Sequence, residues 1–236
     1  MNSTKTPNRM ADISLQQAAV IAGIGLLIMA ILAPIANFSI LQGLIVPDDA
    51  AKTVSNINNS EGLFRIAICL FLIVVLLDII VAWALYVFLK PVNKSLSLLT
   101  AWFRVVYATM LAVVLIYLIH VLQLLSRADY LAVFETDQLQ AQVMLSLNNF
   151  TLGWEFGMII FGFHLLVLGY LVFKAGYVRN VLGILLVLAS IGYVIDGFGK
   201  LLSSHYNMSI AMFTFIGEVI LIFWLLIKGR MVKEAH

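Results

Sequence analysis

The sequence predicts an all-α fold, a polytopic transmembrane bundle of six membrane-spanning helices, and three observations carry that reading. Six separate stretches are apolar and long enough to cross a bilayer, roughly 17–41, 63–89, 100–125, 151–173, 180–202 and 208–228; a spanning helix needs about 20 mostly apolar residues. The chain is 63% hydrophobic and only 11% charged, against roughly 25% charged residues in soluble domains, and its mean hydropathy is +1.05. The basic residues fall unequally on the two sides that six crossings define.

Each element can be justified in turn. Lys5 and Arg9 precede the first span, which is too long for the apolar core of a cleaved signal peptide and lacks a clear small-residue cleavage site after it; it is read as a retained anchor. The connection that follows carries Pro47-Asp48-Asp49, a helix start, because Pro tolerates the first turn and carboxylates suit the positive end of the helix dipole. Span 2 stops at Lys90-Pro91-Val92-Asn93, where Pro breaks the helix. After span 3 a long connection runs over 127–150, with Leu139, Val143 and Leu147 at four-residue spacing. That pattern predicts a short amphipathic helix, either lying on the membrane surface or extending span 4. The two long connections either cap the outer face or are solvated linkers. Spans 4 and 5 meet at Lys174-Ala175-Gly176, where Gly ends the helix.

One side of the membrane holds Lys5, Arg9, Lys90, Lys94, Arg104, Lys174, Arg179, Lys228, Arg230 and Lys233, and the other only Lys52, Arg65, Arg127 and Lys200. Basic loops stay in the cytoplasm, so both termini are expected there. The organisation is one six-span domain over 17–228, with cytoplasmic tails over 1–16 and 229–236.

Composition and motifs exclude several classes. The net charge of +2 reflects loop bias and implies no nucleic-acid partner. A single cysteine, Cys69, rules out an intramolecular disulfide and a Cys-rich metal site. There is no G-x-S-x-G elbow, Walker A loop, G-x-G-x-x-G or H-E-x-x-H, and no His pair at helical spacing, so neither metal nor cofactor is expected. Gly153-x-x-x-Gly157 and the pair Gly192 and Gly199 are read as points of close helix approach. Tyr86-x-x-x-Lys90 and Tyr170-x-x-x-Lys174 form an internal echo, explained either by duplication or by ordinary interfacial snorkelling.

Chemistry is therefore sought in polar residues inside the spans, which are costly in lipid and mark functional sites by default. Arg65, His120, Glu155, Asp196 and Lys200 lie toward the outer leaflet; Asp78, His164 and Glu218 lie nearer the midplane. Asp196 and Lys200 are four apart and share a helix face. With Arg65 and Glu155 they balance in charge, which predicts an ion-pair network tying spans 2, 4 and 5. It serves either as bundle glue or as a polar pocket for an anionic or zwitterionic headgroup or solute. Glu218 has no basic neighbour on its own helix, so it must take up a proton or find a partner on another span. His164 is the expected partner, with Asp78 second. One His and two carboxylates at one depth can form a proton relay, a metal site or a buried hydrogen-bond knot.

Three motifs in order carry a family resemblance: Thr53-Val-Ser-Asn56-Ile-Asn-Asn-Ser-Glu61-Gly-Leu-Phe64-Arg65, then Leu85-Tyr86-Val-Phe-Leu-Lys90-Pro91-Val-Asn93, then Gly169-Tyr170-Leu through Gly183-Ile-Leu-Leu to Gly192-Tyr193-Val-Ile-Asp196. Over nearly its whole length the chain resembles a bacterial membrane family known as a domain of unknown function, number four-three-eight-six. The resemblance implies a six-helix protein of the bacterial inner membrane and no assigned activity, so no catalytic residues carry over. The favoured function is a non-enzymatic one, binding a lipid or small apolar molecule between the helices. The alternatives are a small proton- or ion-linked transporter and an intramembrane lipid-modifying enzyme. Membrane lipids are the expected partners, and a homo-oligomer is left open.

Overall fold

Each apolar stretch folds as a helix, and helices adjacent in sequence are adjacent in space. A computed structural model describes residues 13–126, 128–203 and 205–232; Lys5, Arg9, Arg127 and Lys233 lie outside the described residues. The spans are Leu15–Leu44, Glu61–Leu89, Lys94–Leu124, Thr136–Lys174, Asn180–Leu202 and Ala211–Met231, all long and apolar enough to cross a membrane. Among the described residues there is no strand.

Every span packs on its sequence neighbours, and span 6 returns to span 1. Consecutive spans pack as neighbours, as connections in helical proteins generally arrange, and the result is a closed ring of six helices. Aromatic side chains fill its interior. Near the end with the long connections, Phe71 meets Phe150 and Trp154 edge-on, with ring centres 5.5 and 5.4 Å away. Near the end with the tight turns, Phe88 packs on Tyr177 and Trp224. The Tyr177 hydroxyl donates to the Phe88 carbonyl at 2.8 Å, stitching the turn between spans 4 and 5 to the end of span 2; burial pushes its pKa up to about 12. Outward, exposed apolar residues run along every span, among them Ile31, Leu76, Ile116, Phe163, Leu188 and Phe223. Such a girdle suits hydrocarbon rather than water.

The long connections adopt defined structure. Asp49 caps the outer helix Ala50–Asn59 through the Lys52 amide, after Asp48 has taken a left-handed turn that short polar side chains tolerate. Thr53 and Asn56 bind the backbone of Val46 and Leu44, which ties this helix to the end of span 1. The second connection resolves in favour of an extended span 4. Its 39 residues run unbroken from Thr136, starting from a capping box between Glu135 and Gln138. Buried Val143 and Leu147 lie in the part that packs on the outer helix.

Two spans are interrupted at the loop end. Pro34 cannot donate the usual helical hydrogen bond, and span 1 widens directly after it into a π-helical stretch, Ile35–Leu41. Span 6 breaks at Phe215, between Ala211–Thr214 and Ile216–Ile227. These neighbouring irregularities shape the site described next.

Candidate functional site

The midplane cluster is assembled by register. Asp78 lies eleven residues before Leu89, Arg104 ten after Lys94, and His164 ten before Lys174. At about 1.5 Å per residue all three sit about 15 Å from the turn end, half-way through a roughly 30 Å hydrocarbon core. Arg104 joins them. Its Nη2 pairs with Asp78 Oδ1 at 2.7 Å, both side chains at most 4% exposed, and its Nη1 lies 3.1 Å from His164 Nε2. His164 Nδ1 lies 2.9 Å from the Thr100 carbonyl. A carbonyl can only accept, so Nδ1 carries the proton and Nε2 accepts from Arg104, which assigns a neutral imidazole. Phe161 covers the guanidinium at 5.5 Å, and Arg104 Nε is buried without a hydrogen bond.

This corrects the sequence reading of Arg104 as a loop-flanking cation. Span 3 begins at Lys94 rather than near Thr100, which carries Arg104 to mid-depth. Nine basic residues against four still separate the two sides without it.

Among the described residues Glu218 makes no hydrogen bond or ion pair with His164 or Asp78, and its Oε1 is buried without a partner. The polar groups that act on it are Tyr193, Arg104 and Asp78. Phe161 touches both halves of this interior. It lies 5.5 Å from the His164 ring, 5.5 Å edge-on from Tyr193 and 5.0 Å from Tyr107, whose hydroxyl accepts from Trp154 Nε1 at 3.3 Å.

The outer residues do not form the single expected network. Arg65 turns back to Glu61 on its own helix at 2.7 Å, with both side chains more than half exposed. Lys200 pairs across to Glu155 at 2.5 Å, linking spans 5 and 4. Asp196 pairs with no lysine; it accepts from the Tyr206 hydroxyl at 2.7 Å and from the Ile210 and Ala211 amides at 3.0 and 2.7 Å. The reason is local: the first amides of span 6 lack helical acceptors, and a carboxylate beside them is worth more there than in an exposed same-helix pair. His120 Nδ1 meets Ser146 Oγ at 3.1 Å, linking spans 3 and 4.

Between spans 1, 4, 5 and 6 lies a cleft of about 600 Å³. Pro34 and Phe38 from the π-helical region form one wall. Glu155 and Met158, then Tyr193, Asp196 and Lys200, form the others, and Met212 and Phe215 close it where span 6 breaks. An apolar groove of about 670 Å³ between spans 3, 4 and 5 is lined by Leu96, Leu166, Ile184 and Leu188 among others. It offers little beyond seating for an acyl chain. A third hollow, about 510 Å³, lies under the second long connection. Among the described residues no group of three or more His, Cys, Asp or Glu could hold a metal ion.

The family of proteins described as a domain of unknown function, DUF4386, matches residues 21–229. The chain belongs to the DUF4386 family. An uncharacterized protein of Archaeoglobus fulgidus is 41% identical over 163 residues, covering 69% of this chain and 83% of that relative. No solved structure matches the chain. With six spanning helices this DUF4386 protein is a multi-pass membrane protein. Since the relative is archaeal, membership of DUF4386 does not carry the bacterial source that the resemblance implied. From the sequence Tyr193 stands out only as part of a motif, and nothing in the periodicity marks the core roles of Thr100 and Phe161. The signal for Arg104 was available: a cation ten residues inside span 3, in register with Asp78 and His164.

Proposed function

We propose that this DUF4386 protein binds a lipid or small amphiphile between its helices, in the cleft of spans 1, 4, 5 and 6, and that it does so in a bacterial plasma membrane with both termini cytoplasmic. The observation that carries the reading is the cleft's division of labour. Phe38, Met158, Met212 and Phe215 supply apolar walls, while Asp196 and the Glu155–Lys200 pair supply polar groups in the same space. Its volume suits small ligands, whose pockets are about 300–1,000 Å³ and mostly apolar with a few placed polar groups. The π-helical turn beside it fits the same reading, because such bulges gather at functional sites.

Transport and intramembrane chemistry draw less support. Asp78 and His164 are both committed to Arg104, so neither is free to meet a substrate. Native mass spectrometry of protein released gently from membranes tests the binding reading. Wild type should retain a lipid or amphiphile that Met158→Trp, which fills the cleft, no longer retains. Identical adducts on both proteins would overturn it.

A further inference from the structure

We propose that Glu218 is the polar anchor at the floor of this cleft and that the ligand it selects is an organic cation, such as an amphiphile with an ammonium head. The inference rests on the cleft-binding reading and specifies its ligand class. Asp137 lies exposed in the first turn of span 4, and the other carboxylates of the described spans, Glu218 aside, are accounted for. Glu61 holds Arg65, Asp78 holds Arg104, Glu155 holds Lys200, and Asp196 holds Tyr206 and two amides. Among the described residues Glu218 has no ion pair, and its Oε1 is buried without a hydrogen bond. A buried charge is tolerated when it is paired. Among the described residues Arg104 and Lys200 already hold carboxylates, and a cationic ligand supplies the partner that Glu218 Oε1 lacks.

Position connects Glu218 to the cleft. The Glu218 amide donates to the Phe215 carbonyl at 2.9 Å across the break in span 6, which sets Glu218 one turn from a residue that lines the cleft. Tyr193, which acts on Glu218, lines it as well. The cleft lining holds Glu155 and Asp196 against Lys200 alone, an excess of negative charge that draws cations in. The rings of Phe38, Tyr193 and Phe215 add faces suited to an ammonium group, which aromatic rings attract through their quadrupole.

Equilibrium binding of tetraphenylphosphonium, a permanent organic cation, and of neutral triphenylphosphine oxide can be compared on the full chain in phosphatidylcholine nanodiscs. Wild type should bind the cation saturably and at least about tenfold tighter than the neutral compound, a difference of about 1.4 kcal/mol. Glu218→Gln, which keeps shape and removes charge, should erase that preference while leaving the neutral compound's binding unchanged. Glu218→Asp should keep part of it. No cation preference in wild type, or an undiminished one in Glu218→Gln, overturns the proposal without reference to how the variants fold. If the lipid retained in native mass spectrometry is still displaced by Met158→Trp, the cleft reading survives that failure; if no lipid responds to Met158→Trp, the cleft reading itself has failed.

Discussion

Arg104 is the residue on which the interior turns, since one guanidinium serves Asp78, His164 and the Phe161 ring. Removing one member of a fully buried pair strands the other in low dielectric, at about 3–5 kcal/mol. Arg104→Met and Asp78→Leu should each cost about that much in denaturant titrations of the protein in mixed micelles. The double variant should cost clearly less than their sum, because no unpaired charge then remains. Additive losses would mean that the two side chains do not pair in the membrane. Tyr206 gives a pH-dependent companion case. Its hydrogen bond to Asp196 is the main reason its pKa is pushed from 10.0 up to about 12. The folded state thus holds the phenolic proton more tightly than the unfolded chain does. Its contribution to stability is whole below pH 10 and is lost as pH rises toward about 12. Tyr206→Phe should remove one late-titrating tyrosine from the phenolate absorbance and leave that of Tyr177, and stability between those pH values should fall less steeply in the variant.

At the scale of elements, the start of span 6 and the seam between spans 4 and 5 are the exposed points of the design. Asp196 does for span 6 what a capping side chain does from within a helix, satisfying the Ile210 and Ala211 amides from another span. Asp196→Ala should cost about 1 kcal/mol, as cap removals do, and should speed hydrogen exchange at those two amides above all; unchanged exchange would show that water replaces the carboxylate freely. A Cβ on Gly153 would overlap the Val114 side chain and one on Gly192 would overlap Thr214 Oγ1, the close approach expected at those glycines, while the tightest backbone contact lies at another. A Cβ on Gly183 would stand 2.6 Å from the Phe173 amide nitrogen and 2.7 Å from the Gly169 carbonyl oxygen, whereas one on Gly157 meets only ordinary contacts with Tyr107 and Met110. Gly183→Val should destabilise by about 1–3 kcal/mol or more, as overpacking does, while Gly157→Ala should be nearly neutral in the same unfolding assay. The reverse order would place the tight seam wrongly.

For the whole molecule, the ring order and the basic-residue bias make one joint statement about topology. After Cys69 is replaced by serine, a cysteine at Pro91 should react with an impermeant maleimide only from the cytoplasmic side, and one at Asn58 only from the opposite side. Both positions are solvent-exposed ends of the bundle. The opposite pattern would invert the proposed orientation, and labelling from both sides at either position would deny a single topology.

The sequence by itself determined the class of the molecule, the six spans and their order, because apolar length and loop charge are local properties that a bilayer reads directly. Span 5 matched its expected limits, Asn180–Leu202, to the residue. It also supplied the polar residues on which the interior depends, Asp78, His164, Glu218, Glu155, Asp196 and Lys200. What only the tertiary structure decided was which of them meet. Equal spacing from three helix ends, rather than any motif, brings Arg104 between Asp78 and His164. Asp196 forgoes Lys200 for the amides of span 6, Glu218 keeps a buried Oε1 without a partner among the described residues, and the cleft lies beside the irregular stretches of spans 1 and 6. Pairing in a helical bundle depends on depth and rotation across several spans, and a single chain's periodicity specifies the rotation of each helix only once its neighbours have closed the ring.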